Sequence, residues 1–292
     1  MIHINARGPL LHPEIWQRKR ITHRSRVGCR WADPVRARQG NGPHDYPPPP
    51  PGEPPLPDCQ PVSRDIANRL LQALPATVLD ALLPRMEMVE LARGQVLAEL
   101  GAPVEHVYFV NRGLVSLLRT MRDGRSADVA TVGIEGMADP CILLGLDHSI
   151  LDAIVHVPGE AYRLPRRQLL TLLEQHPDAK AVLERYMQWL VEQMAQTAAC
   201  NRLHGLEQRC ARWLLTAHDS ARGDRFVLTQ DFLALMLGAR RSSVAEITAA
   251  FRDAGHINYR AGQMHILHRE SLRRAACECY MSIRRQLAAI LP

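Results

Sequence analysis

Five residues near position 240 have types and spacing that suit hydrogen bonding to base edges and phosphates. They are Arg240, Arg241, Ser242, Ser243 and Glu246. A guanidinium group can bond guanine at two atoms and can also pair with a phosphate. A glutamate one helical turn further on can accept a hydrogen bond from the amino group of cytosine. The alternative for so short a run is a solvated helix face.

The flanking sequence predicts two short helices joined by a tight turn, and this arrangement would present the five residues. Thr229 is placed to cap a first helix over Gln230–Leu237, and a second helix is predicted over Arg241–Ala254. Gly238 occupies the turn, where a positive φ costs glycine little. The residues expected to pack across the corner are Leu233, Ala234, Leu237, Val244 and Ile247. This pattern is typical of a helix-turn-helix, whose second helix enters the DNA major groove.

A β-hairpin is predicted directly after the second helix. Residues 257–259 and 264–267 form the strands, and Arg260–Gln263 forms a glycine-containing turn. A hairpin in this position is a wing. Arg260 and His268 could contact phosphates there, or they could be ordinary exposed residues.

Composition limits the class of protein. The chain has 292 residues, enough for two domains, and its net charge of +6 suits a polyanionic partner. Much of that charge lies in the first forty or so residues, so it is weak evidence about the folded part. Seven cysteines without a closely spaced framework indicate a reducing compartment. The absence of an apolar run of about twenty residues and of a secretory signal predicts a cytoplasmic protein without a membrane span.

Residues 1–62 are rich in arginine and then in proline, which predicts a disordered extension. The extension could be a basic arm that adds non-specific DNA affinity. The composition favours the alternatives of a dispensable tail or a start site assigned too early.

The middle of the chain alternates between helical and strand patterns. Arg64–Leu83 has helical spacing interrupted at Pro75. Short strands follow, with turns predicted at Asn111–Gly113, Asp123–Arg125 and Pro158–Gly159; such spacing suggests a small barrel or sandwich. The predicted strands include 106–110, 114–118, 128–132, 153–157 and 160–164.

Three helices are predicted between the strands and the helix-turn-helix: a short one over Pro165–Gln175, a long one over Asp178–His204 and a third over Leu206–Ala217. The long helix carries a heptad-like seam of Leu183, Met187, Leu190, Met194 and Thr197. The seam could pair with a second copy of the chain or pack against the chain's own barrel.

This order of parts resembles the Crp/Fnr superfamily, from about Arg64 to Leu272. The strongest pieces are Gly94–Leu97, Val107–Gly113 and the helix-turn-helix. The resemblance implies an α+β fold with a cyclic-nucleotide-binding-like β-roll (63–176), a dimerisation helix (177–205) and a winged helix-turn-helix (206–275), followed by a tail (276–292). It implies a homodimeric transcription regulator that binds double-stranded DNA at a palindromic operator and works with RNA polymerase.

The resemblance also carries over to single residues. Family members read DNA with the start of the second helix, which here contains Arg240, Arg241, Ser242, Ser243 and Glu246. Arg241 matches an arginine that many members use on guanine. Ser242 stands where many carry a glutamate, and Glu246 stands where the cAMP-binding member has an arginine. The operator sequence is therefore not implied.

The effector is unidentified, and cAMP is expected not to bind. Cyclic-nucleotide binders of this superfamily follow a Gly-Glu pair with an arginine that holds the phosphate. Here the equivalent stretch begins at Gly133–Met137, and no arginine lies between Arg125 and Arg163. A buried phosphate without a cation would be costly. Apolar filling of the roll by Met137, Ile142, Leu143 and Leu144 could instead hold an active state without ligand.

No metal site is predicted. Cys277 and Cys279 form a close pair without a second pair, and Cys29 and Cys59 lie far apart, which favours free thiols. The residues that could serve as haem ligands are His106, His148 and His156, although each is more typical of an ordinary surface or core histidine. The alternative function is a ligand- or redox-binding sensor module, with haem or a metal as the bound group, whose main output is not DNA recognition. No nucleophile–base motif or phosphate loop supports an enzyme.

Overall fold

The computed structural model describes residues 66–122, 126–221, 223–260 and 262–291. The first elements are short helices α1 (Arg69–Gln72) and α2 (Ala76–Leu82), followed by a 3-10 turn over Leu83–Arg85. Asn68 caps α1, and its side-chain oxygen accepts a hydrogen bond from the Leu71 amide at 2.9 Å. The predicted helical stretch is thus divided on either side of Pro75, as its ring requires.

An antiparallel sheet forms the next part of the chain, with strand order β1-β6-β3-β4; β2 pairs with β6, and β5 pairs with β3. Its strands are β1 (Glu87–Leu91), β2 (Val96–Ala98), β3 (His106–Thr120), β4 (Ser126–Val132), β5 (Met137–Ala138) and β6 (Asp152–Pro165). A 3-10 turn covers Pro140–Leu144 between β5 and β6. This sheet is the expected β-roll.

Two of the predicted turns are wrong, because β3 and β6 run through them as continuous strands. The β3–β6 register shifts on both sides of Arg112, which marks bulges rather than a chain reversal. Gly113 has φ of +97°, and a Cβ there would lie 2.5 Å from the Val157 carbonyl oxygen. A Cβ on Gly159 would overlap the Arg112 carbonyl oxygen. These glycines therefore mark a close approach of two strands. The turn predicted at residues 123–125 lies outside the described residues.

Helices follow the sheet: α3 (Arg166–Gln175), α4 (Pro177–Leu203) and α5 (Leu206–Ala221). In the seam predicted on α4, Leu183, Leu190 and Thr197 are buried, and Met187 and Met194 are half-buried. The four apolar members join the hydrophobic core that the sheet contributes to. The seam therefore packs against the chain's own sheet, while Val191 on another face is 58% exposed.

The C-terminal unit contains β7 (Arg225–Val227), α6 (Gln230–Leu237), α7 (Arg241–Asp253), β8 (Ile257–Arg260), β9 (Gln263–Ile266) and α8 (Arg269–Ala275). The stretch expected as a tail contains a further helix, α9 (Cys279–Ile290). Helix α9 packs along α4, where the Trp189 indole donates to the Ile283 carbonyl at 3.3 Å. Leu291 is buried in the core beside it. In the described part of the chain, no helix has the length and apolar character needed to cross a membrane.

Candidate nucleic-acid interface

Helices α6 and α7 form the predicted helix-turn-helix. The Thr229 hydroxyl accepts a hydrogen bond from the Phe232 amide at 3.4 Å and so caps α6. Gly238 adopts φ of +57°, and the Ala239 amide returns to the Ala234 carbonyl at 2.9 Å. Helix α7 begins at Arg241, as predicted, and ends at Asp253, one residue earlier than expected.

The corner between the two helices is apolar. Leu233, Leu237 and Val244 are almost fully buried, Ala234 is buried, and Ile247 is half-buried against the same core. A side-chain hydrogen bond of 3.1 Å from Gln230 Nε2 to Thr248 Oγ1 also links the helices. These contacts fix the direction of α7 relative to α6.

The five predicted site residues lie together on the first turns of α7 and at its N-cap. Arg240, Arg241, Ser242 and Glu246 are exposed, and Ser243 is half-buried. Arg241 Nε lies 3.3 Å from Asp231 Oδ1 on α6, and both side chains are about two-thirds exposed. The positive end of the helix dipole and the free amides of the first turn favour an anion there. This surface can therefore donate hydrogen bonds to phosphate oxygens and to acceptor atoms of bases.

The wing contains one more strand than the sequence predicted. Strands β8 and β9 form the expected hairpin, and β7 adds to the other edge of β9, giving the order β7-β9-β8. Gly262 in the turn has φ of +77°. The signal for β7 was the alternation around Phe226, which is buried between exposed Arg225 and half-buried Val227. Arg260 and His268 are both exposed.

Helix α6 also packs directly against the sheet. The His156 ring on β6 and the Phe232 ring on α6 have centroids 3.7 Å apart. Ser116 on β3 donates to the Met236 sulfur at 3.4 Å, and Arg93 donates to the Thr229 hydroxyl at 2.9 Å. Burial, aided by the charge of Arg93, lowers the pKa of His156 well below its usual value. The sheet therefore touches the helix that precedes the candidate DNA-reading helix.

A cavity of about 330 Å³ lies between the sheet and helices α4, α5 and α9. Its charged lining residues are Arg69, Asp128, Glu135, Arg212, Asp219 and Arg284. Burial raises the pKa of Asp128 to about 7, against the opposing effect of Arg212. Glu135 accepts a hydrogen bond from the Gly133 amide at 2.7 Å, so this carboxylate is bonded to the backbone of its own loop.

The expected apolar filling of the roll is correct in part. Met137 and Ile142 are buried, whereas Leu143 is half-buried and Leu144 is 61% exposed. The expectation for Leu144 is wrong because the 3-10 turn over Pro140–Leu144 directs its last side chain outward.

The prediction that Cys277 and Cys279 have no further cysteine or histidine ligands beside them is also wrong. The structure brings Cys200 of α4 and His204, which follows the last residue of α4, next to Cys277 and Cys279. Their partners are 75 to 77 residues away along the chain, so no local spacing could have shown this cluster. Among the three histidines considered for haem, His106 is half-buried, His148 is exposed beside Asp147, and His156 packs on Phe232. Cys29 and Cys59 lie outside the described residues.

The fold is a β-roll sheet joined by a long helix to a winged helix-turn-helix. The sequence-family model for the Crp-like helix-turn-helix domain matches residues 208–275, and the family model for the cyclic nucleotide-binding domain matches residues 88–176. The chain belongs to the Crp/Fnr superfamily of transcription regulators, whose members are not enzymes.

Solved structures show the same fold. FixK2 from Bradyrhizobium japonicum is 16% identical with a TM-score of 0.55, and 66% of this chain and 98% of that chain are covered. The c-di-GMP-responsive global regulator CLP from Xanthomonas campestris is 16% identical with a TM-score of 0.53, and the match covers 66% of this chain and 99% of that chain. A protein described as a crp/fnr family regulator from Eubacterium rectale is 13% identical with a TM-score of 0.55, and the match covers 70% of this chain and 96% of that chain. A search of curated protein sequences gives no match.

Proposed function

We propose that this chain acts in the cytoplasm as a homodimeric, sequence-specific regulator that binds a palindromic operator and works with RNA polymerase. The observation that carries the proposal is the group of exposed polar side chains at the start of α7. Arg240, Arg241, Ser242, Ser243 and Glu246 are the proposed DNA contacts, and the wing residues Arg260 and His268 are candidates for phosphate contacts.

The proposed dimer uses a face of α4 that the chain's own core covers only in part. Its residues are Met187, Val191, Met194, Ala195 and Ala198, which are half-buried or exposed and recur at helical spacing. This stripe shares Met187 and Met194 with the seam predicted from the sequence, whereas the other seam residues, Leu183, Leu190 and Thr197, are buried. Pairing two such helices would place two α7 helices about a two-fold axis, as a palindromic operator requires.

The effector is not cAMP in this proposal. The stretch 126–162 contains no arginine to hold a cyclic phosphate, and Glu135 is engaged by its own loop. The charged cavity between the sheet, α4, α5 and α9 is the proposed site for an unidentified small-molecule effector. A ligand there would contact both α4 and the helix that leads into the DNA-binding unit. Calorimetric titration of cAMP into the purified protein should show no heat of binding.

Genome-wide footprinting of the tagged full-length protein tests the proposal. The expected result is a palindromic motif whose half-sites lie about one helical turn apart. Purified protein should then protect those sites in vitro, while the Arg241→Ala variant should protect them poorly. Affinity for the recovered sites no better than for random DNA, with or without cell extract, would contradict sequence-specific regulation.

A second candidate function is supported by the cluster of Cys200, His204, Cys277 and Cys279. In this alternative, the chain is a metal- or redox-binding sensor whose main output is not DNA recognition. A stable metal complex combined with the absence of any operator would favour it.

A further inference from the structure

We propose that Cys200, His204, Cys277 and Cys279 together bind a single Zn²⁺ ion, which fastens the end of the DNA-binding unit to helix α4. The proposal is independent of operator binding. It concerns four ligand atoms that lie within 4.8 Å of one another.

The distances suit one tetrahedral ion. The sulfurs of Cys200 and Cys277 are 3.6 Å apart, and the Cys279 sulfur is 3.5 Å from His204 Nδ1. With Zn–S bonds of about 2.3 Å and Zn–N bonds of about 2.0–2.1 Å, a tetrahedron has S–S edges of roughly 3.8 Å and S–N edges of roughly 3.6 Å. These two separations lie close to the expected edges, and all four ligand atoms lie within 4.8 Å of one another, so small side-chain adjustments would bring them onto one ion.

The local structure presents the ligands in two pairs. Cys200 lies in the last turn of α4, and His204 is the C-cap four residues later, with its amide bonded to the Cys200 carbonyl, so both lie on the same side of the helix end. Cys277 lies in the link between α8 and α9, and Cys279 begins α9. The three cysteines are buried as a small cluster of their own, and His204 is half-buried. Because α9 packs along α4, the two pairs face each other.

Neighbouring side chains hydrogen-bond to the ligands and hold them in place. His204 Nε2 lies 3.2 Å from a Glu278 carboxylate oxygen, so that nitrogen is suited to carry the proton and Nδ1 is left to bind a metal. Gln196 Nε2 donates to the Cys279 sulfur at 3.0 Å. Three thiolates around Zn²⁺ carry one negative charge in total, and the positive charge of Arg212 acts on the Cys200 sulfur.

Other uses of these residues explain less of the geometry. A disulfide between Cys200 and Cys277 would need a bond of about 2.05 Å and would leave His204 and Cys279 without a role. An iron–sulfur cluster distributes its ligands over two or more iron atoms, so the ligands would stand further apart than the edges of one tetrahedron. A closed set of four Cys and His ligands is typical of a structural zinc site.

Metal analysis of the full-length protein, purified under reducing conditions, tests the proposal. We expect one zinc ion per chain, lost in Cys279→Ser and His204→Ala and retained in Cys210→Ala. Cys210 is the matched control because it is a buried free cysteine that is not among the four ligands. Replacing zinc with Co²⁺ should give the thiolate charge-transfer band and the intense d–d bands of a tetrahedral site.

The Glu278→Gln variant keeps the test decisive if the ligand variants fail to fold. It retains all four ligands, and we expect its zinc affinity, measured by competition with a chromophoric chelator, to fall about 10–100-fold. Chelation should lower the Tm of the wild-type protein. A reduced, folded protein that takes up no added zinc would overturn the proposal. So would zinc retained in full by the folded ligand variants, iron in place of zinc, or a Cys200–Cys277 disulfide found by thiol counting.

Discussion

The imidazole of His156 packs on the ring of Phe232, with ring centroids 3.7 Å apart, and this contact joins the β-roll sheet to the helix-turn-helix. His156 is buried on β6, and Phe232 lies in the first turn of α6. The Phe232 ring also forms a T-shaped pair with the Trp213 ring on α5, with centroids 5.7 Å apart. A change in the sheet at β6 can therefore reach α6 through side chains in direct contact.

A double-mutant cycle measures this contact. We expect His156→Ala and Phe232→Ala to be coupled by about 0.5–1.5 kcal/mol in the free energy of unfolding, since a packed aromatic pair contributes this much beyond area burial. Urea unfolding of the four proteins gives the value. A control cycle pairs Phe232→Ala with His148→Ala, which changes an exposed histidine outside the contact. The two effects on the free energy of unfolding should be additive in this cycle. Additivity in the first cycle would show that the two rings contribute independently.

Arg241 is predicted to be a base-reading residue. We expect Arg241→Ala to weaken operator binding by about 1–3 kcal/mol and to relax the sequence preference at one position, because a bidentate contact to guanine is lost. Fluorescence anisotropy with operator and mutated operator DNA measures both effects.

The matched control for Arg241→Ala is Arg252→Ala, which removes an exposed arginine from the other end of α7, where it pairs with Asp253. We expect the control to leave the sequence preference unchanged. An equal loss on specific and random DNA in Arg241→Ala would indicate a phosphate contact instead.

The helix-turn-helix was predictable because its determinants are local. Thr229 caps α6, Gly238 takes the left-handed turn, and the apolar spacing assigns the buried faces within a window of about 25 residues. The five candidate DNA contacts follow from the same window, since the start of α7 determines which side chains share its exposed end.

The sequence-based predictions that were wrong concern features set by contacts between residues far apart in the chain. Gly113 and Gly159 carry the local signature of turns, yet the pairing of two long strands keeps the chain extended through both. The apolar surface of α4 is broad, so its sequence alone could not distinguish the face that meets the sheet from the face open to a partner. The cluster of Cys200 with Cys277 joins residues 77 positions apart and depends on the packing of α9.

Gly159 is predicted to tolerate no side chain, because its Cβ would meet the backbone of the neighbouring strand. We expect Gly159→Ala to destabilise the protein by about 3 kcal/mol or more, because its Cβ would overlap the backbone of Arg112, which cannot move without disturbing the ladder. Gly205→Ala is the control, since the nearest atom to its Cβ would be 3.8 Å away. Thermal unfolding of both variants gives the comparison; similar Tm values would contradict the close approach of the strands.

Asp128 should make stability fall as pH rises. Its pKa is raised from 3.8 to about 7 in the folded state, so the folded protein holds a proton that the unfolded chain releases above about pH 4. The stabilisation is complete below pH 4 and is lost as pH rises to about 7. We expect Asp128→Asn to remove this contribution, which amounts to at most about 4 kcal/mol.

The measurement for Asp128 is urea unfolding of wild type and Asp128→Asn at several pH values. The difference between the two proteins isolates Asp128 from His156, whose pKa is shifted downward. A difference that stays constant between pH 4 and 7 would show that Asp128 is ionised in the folded protein, with Arg212 compensating for its burial.

Val191 tests the proposed dimer face. It is 58% exposed at the centre of the open apolar stripe on α4, so in a dimer Val191→Asp would bury two like charges near the two-fold axis. We expect the variant to sediment as a monomer and to bind the operator far more weakly, because each half-site contact would then form separately. Leu203→Asp introduces the same charge at a 75% exposed leucine on another face of the helix and should leave the dimer intact. If both variants remain dimeric, the two-fold contact lies away from this stripe.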